Sequence, residues 1–140
     1  MKKVFLIVAL CCAGLAQGWS QTPEPAKAEN PNAPEISFDE LIHDFGTLVF
    51  NSKAETEFTF TNTGKEPLTV TQCSASCGCT APTWSKEPIK PGEKGTIKVV
   101  YKNTNYAAPF TKTVTVTSNA KTSRVILTIK GTVAPEQKSE

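Results

Sequence analysis

The feature that most constrains this chain is an alternation of apolar and polar residues with a period of two. Phe58 and Phe60 alternate with Thr59 and Thr61, Leu68 and Val70 with Thr69 and Thr71, and Ile97, Val99 and Tyr101 with Lys98 and Val100. Val114 and Val116 sit between threonines, and Val125, Leu127 and Ile129 close the series. Successive side chains of a strand point to opposite faces, so each run predicts a short strand with one buried side. No window sustains the 3.6-residue period of a helix, and the threonine enrichment suits a pleated surface better. Two further short strands are predicted near Ile36 to Phe38 and around Phe45 to Phe50.

Turn-forming residues separate these runs. Asn62-Thr63-Gly64-Lys65 follows one strand, Lys90-Pro91-Gly92-Glu93 precedes another, and Ser118-Asn119-Ala120-Lys121 predicts a hairpin between the last two. About seven strands in about a hundred residues is the spacing of an all-β, immunoglobulin-like antiparallel β-sandwich. The inter-sheet disulfide of antibody domains is not available to it, because Cys73, Cys77 and Cys79 all fall within one short stretch.

The flanks read differently. Met1-Lys2-Lys3 is cationic, Val4 to Ala16 is apolar, and Gly14 and Ala16 place small residues before Gln17. That pattern predicts a signal peptide over 1–16, too short for a membrane-spanning helix, and hence a periplasmic or secreted mature protein with no transmembrane segment. Neither Cys11 nor Cys12 follows a small residue, so lipoprotein anchoring is not favoured and both cysteines leave with the leader. Residues 17–34 hold four prolines and little apolar bulk, which predicts a Pro-rich linker; 35–133 forms the domain and 134–140 a polar tail. Loss of Lys2 and Lys3 leaves basic and acidic residues in balance, and Arg124 is the only arginine. Nucleic acid is therefore excluded as a natural partner, since phosphate binding needs a positive surface.

Several ordered segments together carry a family resemblance. They are His43-Asp44-Phe45-Gly46-Thr47, the stretch from Phe58 through Asn62-Thr63-Gly64-Lys65 to Pro67-Leu68, Ser76-Cys77-Gly78-Cys79-Thr80, Ile89-Lys90-Pro91-Gly92-Glu93, and Thr117-Ser118-Asn119. In these the chain resembles the DUF1573 family, exported bacterial proteins similar to the immunoglobulin-like domains of the ASH/MSP/HYDIN group. The resemblance covers nearly all of 35–133 and implies a fold and a compartment, without a reaction. Asn105-Tyr106-Ala107-Ala108-Pro109-Phe110 departs from it, since family members often carry a glycine before the aromatic residue.

The chemistry concentrates in Cys73-Ser74-Ala75-Ser76-Cys77-Gly78-Cys79-Thr80. In an exported protein a thiol pair is expected to oxidise, so the plain reading is a disulfide among Cys73, Cys77 and Cys79. Cys77 and Cys79 in an extended strand would stand near the upper limit of disulfide geometry, so Cys73 with either is the easier bridge. Such a loop stabilises by about 2 kcal/mol and leaves one thiol over. The sharper alternative is a thiolate site for Cu(I) or zinc using Cys73, Cys77 and Cys79, or a thiol-redox role. Against a metal stand the spacing, which matches no paired zinc pattern, the single imidazole of His43, and the absence of methionine beyond Met1.

No other motif carries catalysis. His43 and Asp44 are neighbours on a predicted strand and face opposite ways, which suits neither a base nor its orienter. Asp39, Glu40, Glu55 and Glu57 read as a solvated strand face, and Trp84 as a lid over the cysteine turn or a rim residue of the core. The expectation is a non-enzymatic structural or protein-interaction module without a cofactor. Its partner is expected to be another protein, met through an exposed strand edge or through the cysteine turn and its neighbouring loop.

Overall fold

The computed structural model describes residues 30–137. Eight strands run in chain order as β1 (Ile36–Phe38), β2 (Ile42–Leu48), β3 (Ala54–Asn62), β4 (Val70–Ala75), β5 (Thr80–Trp84), β6 (Lys94–Tyr101), β7 (Pro109–Ser118) and β8 (Arg124–Val133). They form two four-stranded sheets, one ordered β1-β3-β6-β5 and the other β2-β8-β7-β4. The result is an immunoglobulin-like β-sandwich. All pairings are antiparallel except β2 with β8, which is parallel, so the second sheet is mixed.

The alternation explains the core. Phe58, Ile97, Leu127 and Ile129 are fully buried between the sheets together with Val99, Val114 and Val116. Phe60 lies over Gly95 on the paired strand, where any Cβ would strike its ring. The turn after β3 is held by the buried Asn62, whose Nδ2 donates to the carbonyls of Glu66 at 2.8 Å and Ile89 at 2.9 Å while its Oδ1 accepts from the Gly64 N–H at 3.0 Å. The expected hairpin joins β7 to β8, closed by Ser118 N–H donating to the Ser123 carbonyl at 2.9 Å.

Three strands differ from expectation. The run around Leu68 to Thr71 is displaced to Val70–Ala75, because Leu68 pairs instead with Ile89 in an isolated bridge and a bulge follows Val70. The extra residue lets Val70 and Cys73, three apart, both face inward. The predicted strand around Phe45 to Phe50 lies at Ile42–Leu48, since Val49 and Phe50 belong to a turn that continues into Asn51 at φ 60°. β5 was not expected, because Ala81-Pro82-Thr83 offers no apolar alternation.

The predicted leader, Cys11, Cys12 and Trp19 lie outside the described residues. Residues 30–35 run along the Gly64 turn, where Thr63 N–H donates to the Glu35 carbonyl at 3.0 Å and Lys65 N–H to the Asn32 carbonyl at 3.3 Å. Gly64 is required there, since a Cβ would meet the backbone of Ala33 to Glu35.

Candidate functional site

The cysteine turn crosses from one sheet to the other, joining the edge strands β4 and β5. Cys77 and Cys79 are disulfide-bonded to each other with Cα atoms 5.3 Å apart. The preference for a bridge to Cys73 is thereby corrected. It assumed extended backbone, whereas residues 76–79 form a bend and a turn that shorten the separation to the usual disulfide range. Among the described residues Cys73 is the free thiol; it points from β4 into the core, and burial pushes its pKa up to about 12.

The three sulfurs are therefore not gathered around one point. Among the described residues no group of three His, Cys, Asp or Glu side chains is placed to hold a metal ion. The turn instead stands on the core: Cys79 packs against the buried cluster, and Thr80 pairs with Tyr101, whose ring stacks on Phe110 at 3.9 Å. Thr80 itself is buried, and its hydroxyl lies 4.0 Å from Cys77 Sγ and 3.9 Å from Cys79 Sγ.

Trp84 is not a lid over this turn. It lies at the opposite end of β5, where its Nε1–H donates to the Val70 carbonyl at 3.1 Å and ties β5 to β4 across the gap between the sheets. Pro82, in the middle of β5, removes a backbone donor. The Lys102 N–H donates to the Cys79 carbonyl, so Cys79 and Ala81 direct their backbone groups toward β6 and Pro82 turns its ring nitrogen to the free edge.

The other long edge is open. Thr128 N–H donates to the Leu41 carbonyl at 2.8 Å and Ile42 pairs with Thr128, so Leu41 and His43 bond to β8. The backbone N–H and C=O of Ile42 and Asp44 consequently point away from the sheet. Beside them Leu41 and Ile42 are 48% and 58% exposed, and Ile126 on β8 is 55% exposed. The β2–β8 register shifts at a bulge between Asp44 and Thr47, where Gly46 takes φ 63° and its N–H donates to Asp44 Oδ1 at 2.8 Å, and pairing resumes at Thr47 with Thr132.

His43 and Asp44 face opposite ways, as the strand period requires. The His43 ring packs edge-on to Phe45 at 4.7 Å, with Nδ1 3.2 Å from Glu40 Oε1, while Asp44 reaches Lys130 at 3.3 Å. The Gly46 N–H, then Lys130, hold the Asp44 carboxyl below its ordinary pKa. Glu55 bonds Lys53 at 3.0 Å and Lys98 at 3.2 Å, which lower its pKa, and Asp39 meets Lys94 at 3.6 Å. Asp39 and Glu55 are thus solvated and ion-paired on the sheet that holds β6, and Asp44 is so on the other sheet. Sequence reasoning missed Leu41, Ile42 and Ile126; the signal was there in Val125-Ile126-Leu127, where a strand with two inward residues must expose the apolar one between them.

The family model described as a protein of unknown function (DUF1573) matches residues 36–133. The chain belongs to the DUF1573 family. No sequence among the curated proteins matches it. A protein of unknown function from Porphyromonas gingivalis matches with TM-score 0.65 and 13% identity over 77% of this chain and 51% of the other. The ASH / PapD-like domain of human CEP192 matches with TM-score 0.62 and 7% identity over 99% of both chains. The YadV chaperone matches with TM-score 0.51 and 16% identity over 77% of this chain and 55% of that one. The DUF1573 chain thus spans about half the length of the first of these. Some other matching structures are proteases and a glycoside hydrolase, of which it covers a third or less. At these identities the likeness is one of fold. Among the described residues no helix is long and apolar enough to cross a membrane.

Proposed function

We propose that this DUF1573 domain is an exported, non-enzymatic protein-interaction module whose partner adds an extended strand along β2. The observation that carries the proposal is the unpaired backbone of Ile42 and Asp44 on an edge with exposed apolar side chains. Unpaired N–H and C=O groups recruit a strand through main-chain hydrogen bonds, and neighbouring side chains select it. Ile42 and Ile126 offer apolar contacts on the outer face of the mixed sheet, which suits a partner strand with apolar residues at alternate positions. The immunoglobulin-like, chaperone-type neighbours support interaction with protein, and the leader pattern and a bonded cysteine pair support export to an oxidising compartment.

A photo-crosslinking residue at Ile126 tests this in the native cells, with the same residue at Glu57 on the opposite sheet as the control. Adducts are expected at position 126, are not expected at 57, and should disappear when Ile42→Pro is added. That proline removes a donor facing away from β8, so the β2–β8 ladder and the melting temperature should survive it. Adducts insensitive to the proline, or equal at both positions, would overturn the assignment.

A further inference from the structure

We propose that Cys77 and Cys79 form a redox-active pair that undergoes thiol–disulfide exchange with a dithiol of another protein, a role that does not depend on strand capture at β2. A disulfide stabilises mainly by restricting the unfolded chain, and that gain is smallest for the shortest loops. This bridge joins residues only two apart in sequence. The fold has little need of it.

The turn is held in place by its backbone. Ser76 N–H donates to the Thr113 carbonyl at 2.9 Å, Thr80 N–H to the Cys77 carbonyl at 3.3 Å, and Lys102 N–H to the Cys79 carbonyl at 2.8 Å. Opening the bridge therefore leaves both sulfurs on the same platform, which is what reversible exchange requires. Access is provided between them: Gly78 is exposed, and nothing stands within 4 Å of where its Cβ would be. An incoming thiolate meets no side chain at that position.

The buried Thr80 hydroxyl supplies the electrostatic part. Its contacts are the two sulfurs, at 4.0 Å and 3.9 Å, and a hydroxyl so placed donates more strongly to a thiolate than to a disulfide sulfur. It thus favours departure of whichever sulfur leaves. Cys73 does not interfere, because its thiol is buried in the core and stays protonated.

The exchange balances without an outside oxidant. A thiolate of the partner attacks Sγ of one cysteine, the Cys77–Cys79 bond breaks, and its electron pair goes to the other sulfur as thiolate. The partner's second thiolate then attacks the mixed disulfide and releases this chain as the dithiol. Two electrons and two protons pass to Cys77 and Cys79, and the partner gains one disulfide; the reverse sequence runs when the partner is the better oxidant.

The purified full chain can be equilibrated in glutathione buffers of graded thiol-to-disulfide ratio, quenched with acid, alkylated and mapped by peptide mass spectrometry. Cys77 and Cys79 should pass together from disulfide to dithiol and back. The dithiol form should remain folded, with a melting temperature lowered by no more than about 10 °C. Mixed with reduced, unfolded ribonuclease, the oxidised chain should remove two ribonuclease thiols for each bridge lost. Thr80→Val should slow reduction by dithiothreitol about fivefold, and Thr80→Ser should restore it, an effect of the order of one hydrogen bond. A bridge that stays oxidised at every ratio, a chain that unfolds on reduction, or a dithiol formed without transfer to ribonuclease would each overturn the proposal.

Discussion

The two long edges of this sandwich are finished in opposite ways. On one side β4 and β5 are adjacent edge strands joined by the cysteine turn, tied across the gap by the Trp84 indole and interrupted by Pro82. On the other, β1 is only three residues long and β2 leaves the backbone of Ile42 and Asp44 unpaired beside exposed apolar side chains. Sheet edges invite unwanted pairing, and proteins close them with prolines, short strands and covering groups. The proline and the covering groups stand at the first edge, whereas the short strand, β1, stands at the second. The second leaves the backbone of Ile42 and Asp44 open, and the proposed strand capture rests on that difference.

The comparison can be broken most severely at the sealed edge. Trp84 is half-buried, packs against the core and carries the one side-chain hydrogen bond from β5 to β4. Trp84→Ala should cost about 3 kcal/mol by chemical denaturation, while Trp84→Phe, which keeps much of the ring and loses the donor, should cost about 1 kcal/mol. Equal costs would mean that the indole hydrogen bond alone closes this edge, and a costless Trp84→Phe would mean that packing alone does. At the open edge the largest single effect belongs to Gly46, whose φ of 63° lies in the bulge that shifts the β2–β8 register. Gly46→Ala meets no atom within 4 Å, so its cost is conformational and amounts to about 1 kcal/mol. Amide exchange should quicken along β2 and remain unchanged in β4 and β5; a uniform change would deny the two edges their independence.

The same contrast separates what the sequence made legible from what it hid. The inward faces of β3, β6, β7 and β8 were readable because each strand packs one side on the core and keeps strict alternation. Both edges were harder. At β4 a bulge replaced alternation with a three-residue step, and at β5 the strand is specified by pairing with β6, not by any pattern of its own. The parallel pairing of β2 depends on a partner more than eighty residues away. The cysteine pairing was misread for a local reason: a two-residue separation is unfavourable in a strand and suitable in a turn, and only the backbone decides which applies.

The smallest expected effect lies in Asp44, and its sign distinguishes a charge held in place from one that merely decorates the edge. Its carboxyl accepts the Gly46 N–H at 2.8 Å and lies 3.3 Å from Lys130, and together these hold its pKa below the ordinary range of an aspartate. A group whose pKa is depressed by folding stabilises the native state above its unfolded pKa, and loses that contribution as pH falls through the folded value. Asp44→Asn keeps an acceptor for Gly46 and removes the charge. The variant should melt slightly below the parent at neutral pH, the difference should shrink in high salt because both partners are solvated, and the two curves should converge below about pH 4. A difference that persisted in acid would show that the amide disturbs the bulge itself, and that hydrogen-bond geometry, more than charge, sets the register shift along the open edge.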